Sequence, residues 1–424
     1  MKRVIIIGGG FGGLEAAHQL RNAPCEVVLI DRLNHHLFQP LLYQVATASL
    51  SPGDIAEPIR KILHSQENCH VLMGTVSKID TKQRLVILED GTSYSFDSLI
   101  LAPGTRHSYW GKDEWELEAP GLKTIQDALK IREKILSVFE RAERAASAEE
   151  IQINLNFIVV GAGPTGVEMA GSIAEIALKT LVDNFTKIDT KKAKIFLIEG
   201  ADQVLPGFPP SLAQKAQKAL EKIGVTVLTK TFVTQITEEG AQAGTTFIPS
   251  HCIIWAAGNQ ASPILKSLNT PLDKQGRVLV ESDLSIPNNP DIFVIGDAAC
   301  FMNSEGRPLP GLAPVAKQMG AYVANIINKS IPQDKRKPFK YRDKGSLATI
   351  GRGKAVGLIG KLQLSGFFAW FAWSFIHVFY LIGFQNRILV MIKWCFLYIT
   401  GRRNVQIISR PLEEIEKIQP VKRS

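Results

Sequence analysis

The chain has 424 residues, more than one hydrophobic core usually organises, so two domains of ordinary size plus an appendage are expected. Hydrophobic residues make up 45% and charged residues 21%, with no long polar or low-complexity tract, which excludes a disordered or fibrous chain. The net charge of +9 calls for an anionic partner, yet the late cations Arg387, Lys393, Arg402, Arg403, Arg410, Lys422 and Arg423 accompany the most apolar stretch, a membrane-surface pattern that argues against nucleic acid.

Residues 3–31 read as strand (4–7), glycine turn (8–13), helix (14–20) and strand (27–31), one βαβ unit. Met1 to Arg3 run straight into the first strand, so no cleavable signal is expected. Short alternating strands follow at 71–79 and 84–88, with Asp90-Gly91 as a hairpin turn. Residues 124–149 carry Ile125, Leu129, Ile131, Ile135, Leu136 and Phe139 near helical spacing and predict a linking helix. A second βαβ unit spans 156–199: strand 157–160, turn 161–166, helix 167 to about 181, strand 195–199. From about Tyr341 the composition changes, ending in apolar segments 367–383 and 388–400 that flank Gln385-Asn386-Arg387.

Each glycine turn has the form GxGxxG directly between strand and helix. Such a turn brings backbone N–H groups and a helix N-terminus to a pyrophosphate. Gly8, Gly10 and Gly13 form the first turn, with Gly9, Phe11 and Gly12 between them, and Asp31 closes the next strand where a carboxylate can accept ribose hydroxyls. Gly161, Gly163 and Gly166, with Pro164 and Thr165, form the second, and Glu199 ends its following strand. An acid there favours free ribose hydroxyls over a 2′-phosphate, and no Arg follows in Gly200-Ala201-Asp202, so NADH is expected over NADPH.

A strand at 292–295 running into Gly296-Asp297 is similar to the late Gly-Asp with which flavoprotein reductases hold the ribityl chain of FAD. Ala102-Pro103-Gly104 resembles the Ala-Thr-Gly segment of that superfamily, with proline in place of threonine. Two such sites in one chain imply hydride transfer from nicotinamide to flavin. Disulfide reductases need a redox-active cysteine pair soon after the first site, whereas residues 38–51 contain no cysteine. The five cysteines, Cys25, Cys69, Cys252, Cys300 and Cys395, are scattered, have no zinc-site spacing and fit a reduced, cytosolic setting.

With these pieces the chain resembles the type II NADH dehydrogenases, single-subunit, non-pumping NADH:quinone oxidoreductases. The carriers are Gly8-Gly9-Gly10-Phe11-Gly12-Gly13, Phe38-Gln39-Pro40-Leu41-Leu42-Tyr43-Gln44-Val45-Ala46-Thr47, Arg106-His107-Ser108-Tyr109-Trp110-Gly111, Gly161-Ala162-Gly163-Pro164-Thr165-Gly166-Val167-Glu168 and Leu312-Ala313-Pro314-Val315-Ala316-Lys317-Gln318. The resemblance implies an α/β fold of two Rossmann-like domains: 1–115 with 270–340 for FAD, 116–269 for NADH, and 341–424 as a helical membrane anchor. It implies catalytic roles for Glu168, in proton delivery or quinone handling, and for Gln318 at the quinone. Where the family often has glutamine, Pro314 offers no side-chain amide. FAD contacts further extend to Arg32, Val76, Ala102, Gly104, Asp297, Ala313, Pro314 and Lys344, and NADH contacts to Gly258.

The two apolar segments would make helices of roughly 25 and 20 Å, short for a bilayer core. With Trp370, Trp373, Trp394 and flanking cations they fit an element lying in the interface, on the cytoplasmic face of the inner membrane, where a lipid-soluble quinone can be reached. Core helices, a homodimer contact or a thin hairpin are the alternatives. Rival functions are a sulfide:quinone oxidoreductase, which needs cysteines beside the flavin, and a flavin-bound redox sensor resembling apoptosis-inducing-factor-like chains.

Overall fold

The structure, a computed structural model, describes residues 1–401, 403 and 405–417; Arg402, Lys422 and Arg423 of the cationic set lie outside them. Contacts divide the chain into two compact units. The first joins Met1–Leu37, Ala56–Arg106 and Asn259–Lys344; the second joins Phe38–Ile55, His107–Gly258 and the described residues from Gly345 onward. Residues 38–55 and the C-terminal region thus group with the second βαβ unit.

The first unit is built on a six-stranded sheet in the order Ser285–Ile286, Asn289–Val294, Ser98–Leu101, Lys2–Ile7, Cys25–Asp31, Cys69–Met73. All pairings are parallel except the first. Ile5, Ile6, Leu29, Ile30, Leu99 and Ile100 are fully buried, as expected of central parallel strands covered on both faces. Helix Phe11–Gln19 lies against helix Ala313–Asn328 through glycines: a Cβ on Gly320 would stand 2.3 Å from the Gly12 carbonyl oxygen. The single strand expected over 71–79 is two, Cys69–Met73 and Val76–Asp80, because the chain leaves the parallel sheet at Gly74 to start a three-stranded antiparallel sheet with Leu85–Leu88 and Ser93–Ser95. Gly91 turns that hairpin at φ +84°.

The second unit repeats this plan with four parallel strands, ordered Val225–Leu228, Lys194–Ile198, Asn156–Val160, Cys252–Trp255. An antiparallel sheet, Val233–Thr237, Gly240–Ala243 and Thr246–Pro249, again follows the outer parallel strand. The helix expected over 124–149 is two helices. Thr124 and Asp127 form a reciprocal capping box that starts Ile125–Arg144. The chain is extended at Ala145, and the Ser147 hydroxyl then accepts from Glu150 N to start Ala148–Asn154.

A three-stranded antiparallel sheet, Ser346–Gly351, Lys354–Ile359 and Leu362–Gly366, precedes the apolar helices, which run Phe367–Tyr380 and Phe384–Thr400. Gln385-Asn386-Arg387, expected to separate the two, lie inside the second helix, because the break falls at Gly383 with φ +87°. Among the described residues no helix is long and apolar enough to cross a membrane.

Candidate functional site

In the first unit Gly8 sits at φ +101°, and a Cβ there would stand 2.2 Å from the Ala102 carbonyl oxygen. A Cβ on Gly13 would stand 1.8 Å from the Gly8 carbonyl oxygen, so helix and strand can meet only at glycine. Gly10 faces open space, the cradle a pyrophosphate needs. The Asp31 carboxylate accepts from Gly9 N at 2.6 Å and Leu33 N at 2.7 Å, tying the turn to the end of the second strand, with Arg32 between. Buried His36 lies under this turn, its Nδ1 3.0 Å from the Gly9 carbonyl oxygen and its ring edge-on to Phe11. Loss of hydration lowers its pKa to about 4, leaving the ring neutral.

Gly296 turns at φ +67°, with Ala316 close below, and presents Asp297, whose carboxylate accepts from the Thr105 hydroxyl at 3.4 Å and borders Gly311. Gly104, also at positive φ, faces open space beside it in sequence with Ala102 and Thr105. Val76 opens the antiparallel sheet. These residues fit an FAD: an open glycine cradle, a carboxylate at the end of the next strand where a ribose would lie, and a second carboxylate at the end of a central strand. Pro314 stands in the first turn of helix Ala313–Asn328, where the missing N–H has no intrahelical partner to lose. The Gln318 amide donates to Arg342 O and accepts from Arg342 N, both at 2.9 Å, so it fastens the segment leading to exposed Lys344.

The second unit reproduces the cradle. Gly161 sits at φ +97° against the Ala256 backbone, a Cβ on Gly166 would stand 1.8 Å from the Gly161 carbonyl oxygen, and Gly163 faces open space, followed by exposed Pro164 and Thr165. Glu199 accepts from Ala162 N at 2.6 Å and Ala201 N at 2.9 Å, the same two-handed clamp as Asp31. Gly258, at φ +139°, packs on Ser108 and Trp110.

Glu168 lies one turn into helix Pro164–Glu175, partly buried. Desolvation pushes its pKa well above the usual carboxylate range, against the lowering effect of a hydrogen bond to the Thr349 backbone. The negative charge of Glu168 also contributes to raising the pKa of buried Tyr43, after desolvation. The Tyr43 oxygen accepts from Gln44 Nε2 at 3.0 Å, and Gln44 Oε1 accepts from Trp394 Nε1 at 2.7 Å, so residues 43–44 are wired to the second apolar helix.

Sequence reasoning missed how the cations near this helix pair are used. Lys393 reaches both oxygens of Asp54 at 2.7 Å, Arg410 pairs with Glu133, and Arg387 donates to the Leu381 carbonyl. Arg403 is buried and donates to Thr47 O, Ser49 Oγ, Ser172 O and Glu175 Oε2. Trp373 and Trp394, expected at headgroup level, are buried too; their rings pack together at 5.5 Å. Exposure falls instead on Phe367, Phe368, Phe371, Phe375 and Phe379, at helical spacing, and on Phe384, Ile388, Met391, Ile392, Phe396 and Ile399. No local signal distinguishes a cation that meets a carboxylate far along the chain from one that meets lipid.

Among the described residues no cluster of histidines, cysteines and acids could hold a metal. All five cysteines are free, and burial raises the thiol pKa of Cys25, Cys69, Cys252 and Cys300, to about 11 for Cys69 and about 12 for Cys252. Such thiols are poor nucleophiles.

Comparison with known proteins agrees with this geometry. Residues 2–320 match a family model described as pyridine nucleotide-disulphide oxidoreductase, and residues 344–403 match one described as the NDH2 C-terminal domain. The chain is 45% identical to the type II NADH:quinone oxidoreductase Ndh of Mycobacterium tuberculosis over 95% of this chain and 89% of that one, and 43% identical to NdhA of the same organism over 96% and 89%. Its fold superposes on NDH2 of Plasmodium falciparum in complex with NADH with a TM-score of 0.86 at 22% identity, covering 95% of this chain and 99% of that one. A sulfide:quinone oxidoreductase of Aquifex aeolicus shares the fold at a TM-score of 0.72 and 18% identity, over 94% of this chain and 95% of that one. The paired cradles, the C-terminal sheet and helices, and this identity over nearly its whole length show that the chain belongs to the type II NADH:quinone oxidoreductase family.

Proposed function

We propose that the protein oxidises NADH and reduces a quinone drawn from a lipid bilayer, without pumping protons. The observation that carries this reading is the doubled acid clamp, Asp31 in one cradle and Glu199 in the other, in a chain of this family. FAD is assigned to the first unit, at Gly8–Gly13, Asp31, Arg32, Val76, Ala102, Gly104, Asp297 and the Ala313-Pro314 helix start, with Lys344 two residues past the Arg342 that pairs with Gln318. NADH is assigned to Gly161–Gly166, Glu199 and Gly258 of the second. Held there, FAD would supply the redox chemistry, uptake of a hydride equivalent from NADH and release of two electrons to quinone.

The net reaction consumes one proton, since quinol needs two and the hydride brings one. Glu168 is the group we assign to hold it: desolvation raises its pKa well above the usual carboxylate range, so it keeps its proton to higher pH than an exposed carboxyl and can donate it in the reaction. Gln318 is assigned indirectly to the quinone side. With its amide engaged by Arg342, it orders the 339–344 segment, and its own contact with quinone requires that pair to open.

The exposed phenylalanine face of helix Phe367–Tyr380 and the apolar face of Phe384–Thr400 support seating on lipid, and we assign that seat to the cytoplasmic side of the inner membrane. Sulfide chemistry is not favoured, because the buried thiols are poorly ionised. Purified flavin-loaded protein mixed with NADH and a soluble ubiquinone analogue tests the reading. A bound flavin that NADH leaves oxidised defeats it. Flotation of the full chain with liposomes, beside a chain truncated before Phe367, tests the anchor, and equal flotation refutes it.

A further inference from the structure

Phe232 is an aromatic side chain left 62% exposed on a well-tied loop. Its ring comes close against Gly200, the residue after the Glu199 clamp: a Cβ on Gly200 would stand 2.6 Å from Cε1 and 3.0 Å from Cζ. Only glycine lets the ring come so close to the turn. The loop carrying Phe232 is fastened to the same turn by backbone hydrogen bonds, Glu199 N to Leu228 O, Lys230 N to Ala201 O and Thr231 N to Glu199 O, at 2.8–3.0 Å. Phe232 O in turn accepts from Gly244 N at 2.9 Å.

The position is fixed relative to a bound dinucleotide by the sheet. The pyrophosphate belongs over Gly161–Gly166, at the end of the central strand Asn156–Val160, and the acid at the end of Lys194–Ile198 takes the adenosine ribose. The adenine must then lie further out, towards Val225–Leu228, whose following loop is residues 229–232. The internal repeat supports this placement. In the first unit Gly74 N donates to Asp31 O at 2.8 Å before Val76 opens the antiparallel sheet, as Thr231 N donates to Glu199 O before Val233 opens its own.

We infer that Phe232, laid on Gly200, is the shelf on which the adenine of NADH stacks, making it a specificity-determining residue for dinucleotide over mononucleotide donors. The inference rests on the assignment of NADH to the Glu199 cradle. A base stacked on an aromatic ring needs exposed aromatic surface, which the 62% exposed Phe232 offers, and the contact is indifferent to the reacting nicotinamide.

The test uses full-length, flavin-loaded protein with two donors, NADH and reduced nicotinamide mononucleotide, which lacks adenosine. Phe232→Ala is expected to raise KM for NADH roughly tenfold with kcat within about twofold, and to leave KM for the mononucleotide where it was. Calorimetric titration with ADP-ribose should weaken by the same factor, a readout independent of turnover. Phe232→Trp should retain wild-type binding, and Gly200→Ala, which pushes the ring aside, should mimic Phe232→Ala. Phe247→Ala, an exposed phenylalanine of the adjoining antiparallel sheet, serves as the control and should change neither donor. Equal effects on both donors, or unchanged ADP-ribose binding in Phe232→Ala, would overturn the inference. A wild-type chain that oxidises neither donor and does not bind ADP-ribose removes the NADH assignment itself.

Discussion

Replacing Arg403 by alanine should be among the most damaging single changes outside the two nucleotide cradles. The guanidinium makes four hydrogen bonds: to the Thr47 and Ser172 carbonyls, to Ser49 Oγ at 2.6 Å and to Glu175 Oε2 at 3.2 Å. Its side chain is 3% exposed and that of Glu175 17%. Truncation leaves the Ser172 carbonyl, on a buried residue, without this donor, and strips Glu175 of its cation, leaving it the Arg352 N–H at 2.5 Å. Breaking a buried pair from one side costs about 3–5 kcal/mol. At roughly 2–4 °C per kcal/mol for a body of 150–250 residues, the midpoint of thermal unfolding should fall by roughly 6–20 °C. Scanning calorimetry of flavin-loaded protein in detergent reads this directly. Adding Glu175→Gln should recover part of the loss, since the uncompensated carboxylate is then gone. A single variant melting within about 2 °C of wild type would show that the buried guanidinium does not tie residues 47–49 to the helix of Glu168.

Other expectations follow from the same geometry. Glu168 has a folded pKa raised above its unfolded value, so it binds its proton more tightly in the native state. Its burden on stability is therefore absent below about pH 4.5 and grows as pH rises through the folded pKa. Glu168→Gln should consequently melt higher than wild type at neutral pH, with the difference vanishing in acid, while quinone reduction slows; equal melting at both pH values would contradict the desolvation argument. Glu199→Ala removes a carboxylate that accepts two backbone N–H groups and should raise KM for NADH by roughly ten- to a hundredfold. Unchanged steady-state kinetics would discount the second cradle. Phe371→Asp with Phe375→Asp places two charges on the exposed apolar face and should reduce liposome flotation sharply without altering flavin content.

The two cradles were legible in the sequence because their chemistry is local. A glycine forced by positive φ, one forced by a 1.8 Å approach and an acid at the next strand end all fall within about forty residues of chain. The sheet at Ser346–Gly366 was not anticipated, since its strands are short and sit before a more conspicuous apolar run. The break in the linking helix turned on Ser147, a cap whose meaning depends on Glu150 N being in reach. The roles of Lys393, Arg403 and Arg410 were misread for a different reason. Their carboxylate partners Asp54, Glu175 and Glu133 lie hundreds of residues earlier, and only tertiary folding tells an internal ion pair from a lipid anchor. The burial of Trp373 and Trp394 belongs to the same class of contact.

The acid clamp limits how cofactor preference can evolve. Glu199 holds Ala162 N and Ala201 N together, so the residue proposed as the ribose acceptor is also a brace of the turn that carries the fingerprint. A mutation that removed its charge to admit a 2′-phosphate would also release two backbone donors and loosen the cradle it was meant to retune. Drift towards NADPH would have to pass through a chain with a weaker grip on either nucleotide, unless a neutral acceptor took over the brace first. The same reasoning applies to Asp31, whose substitution would unsettle the first glycine turn along with the ribose contact proposed for it.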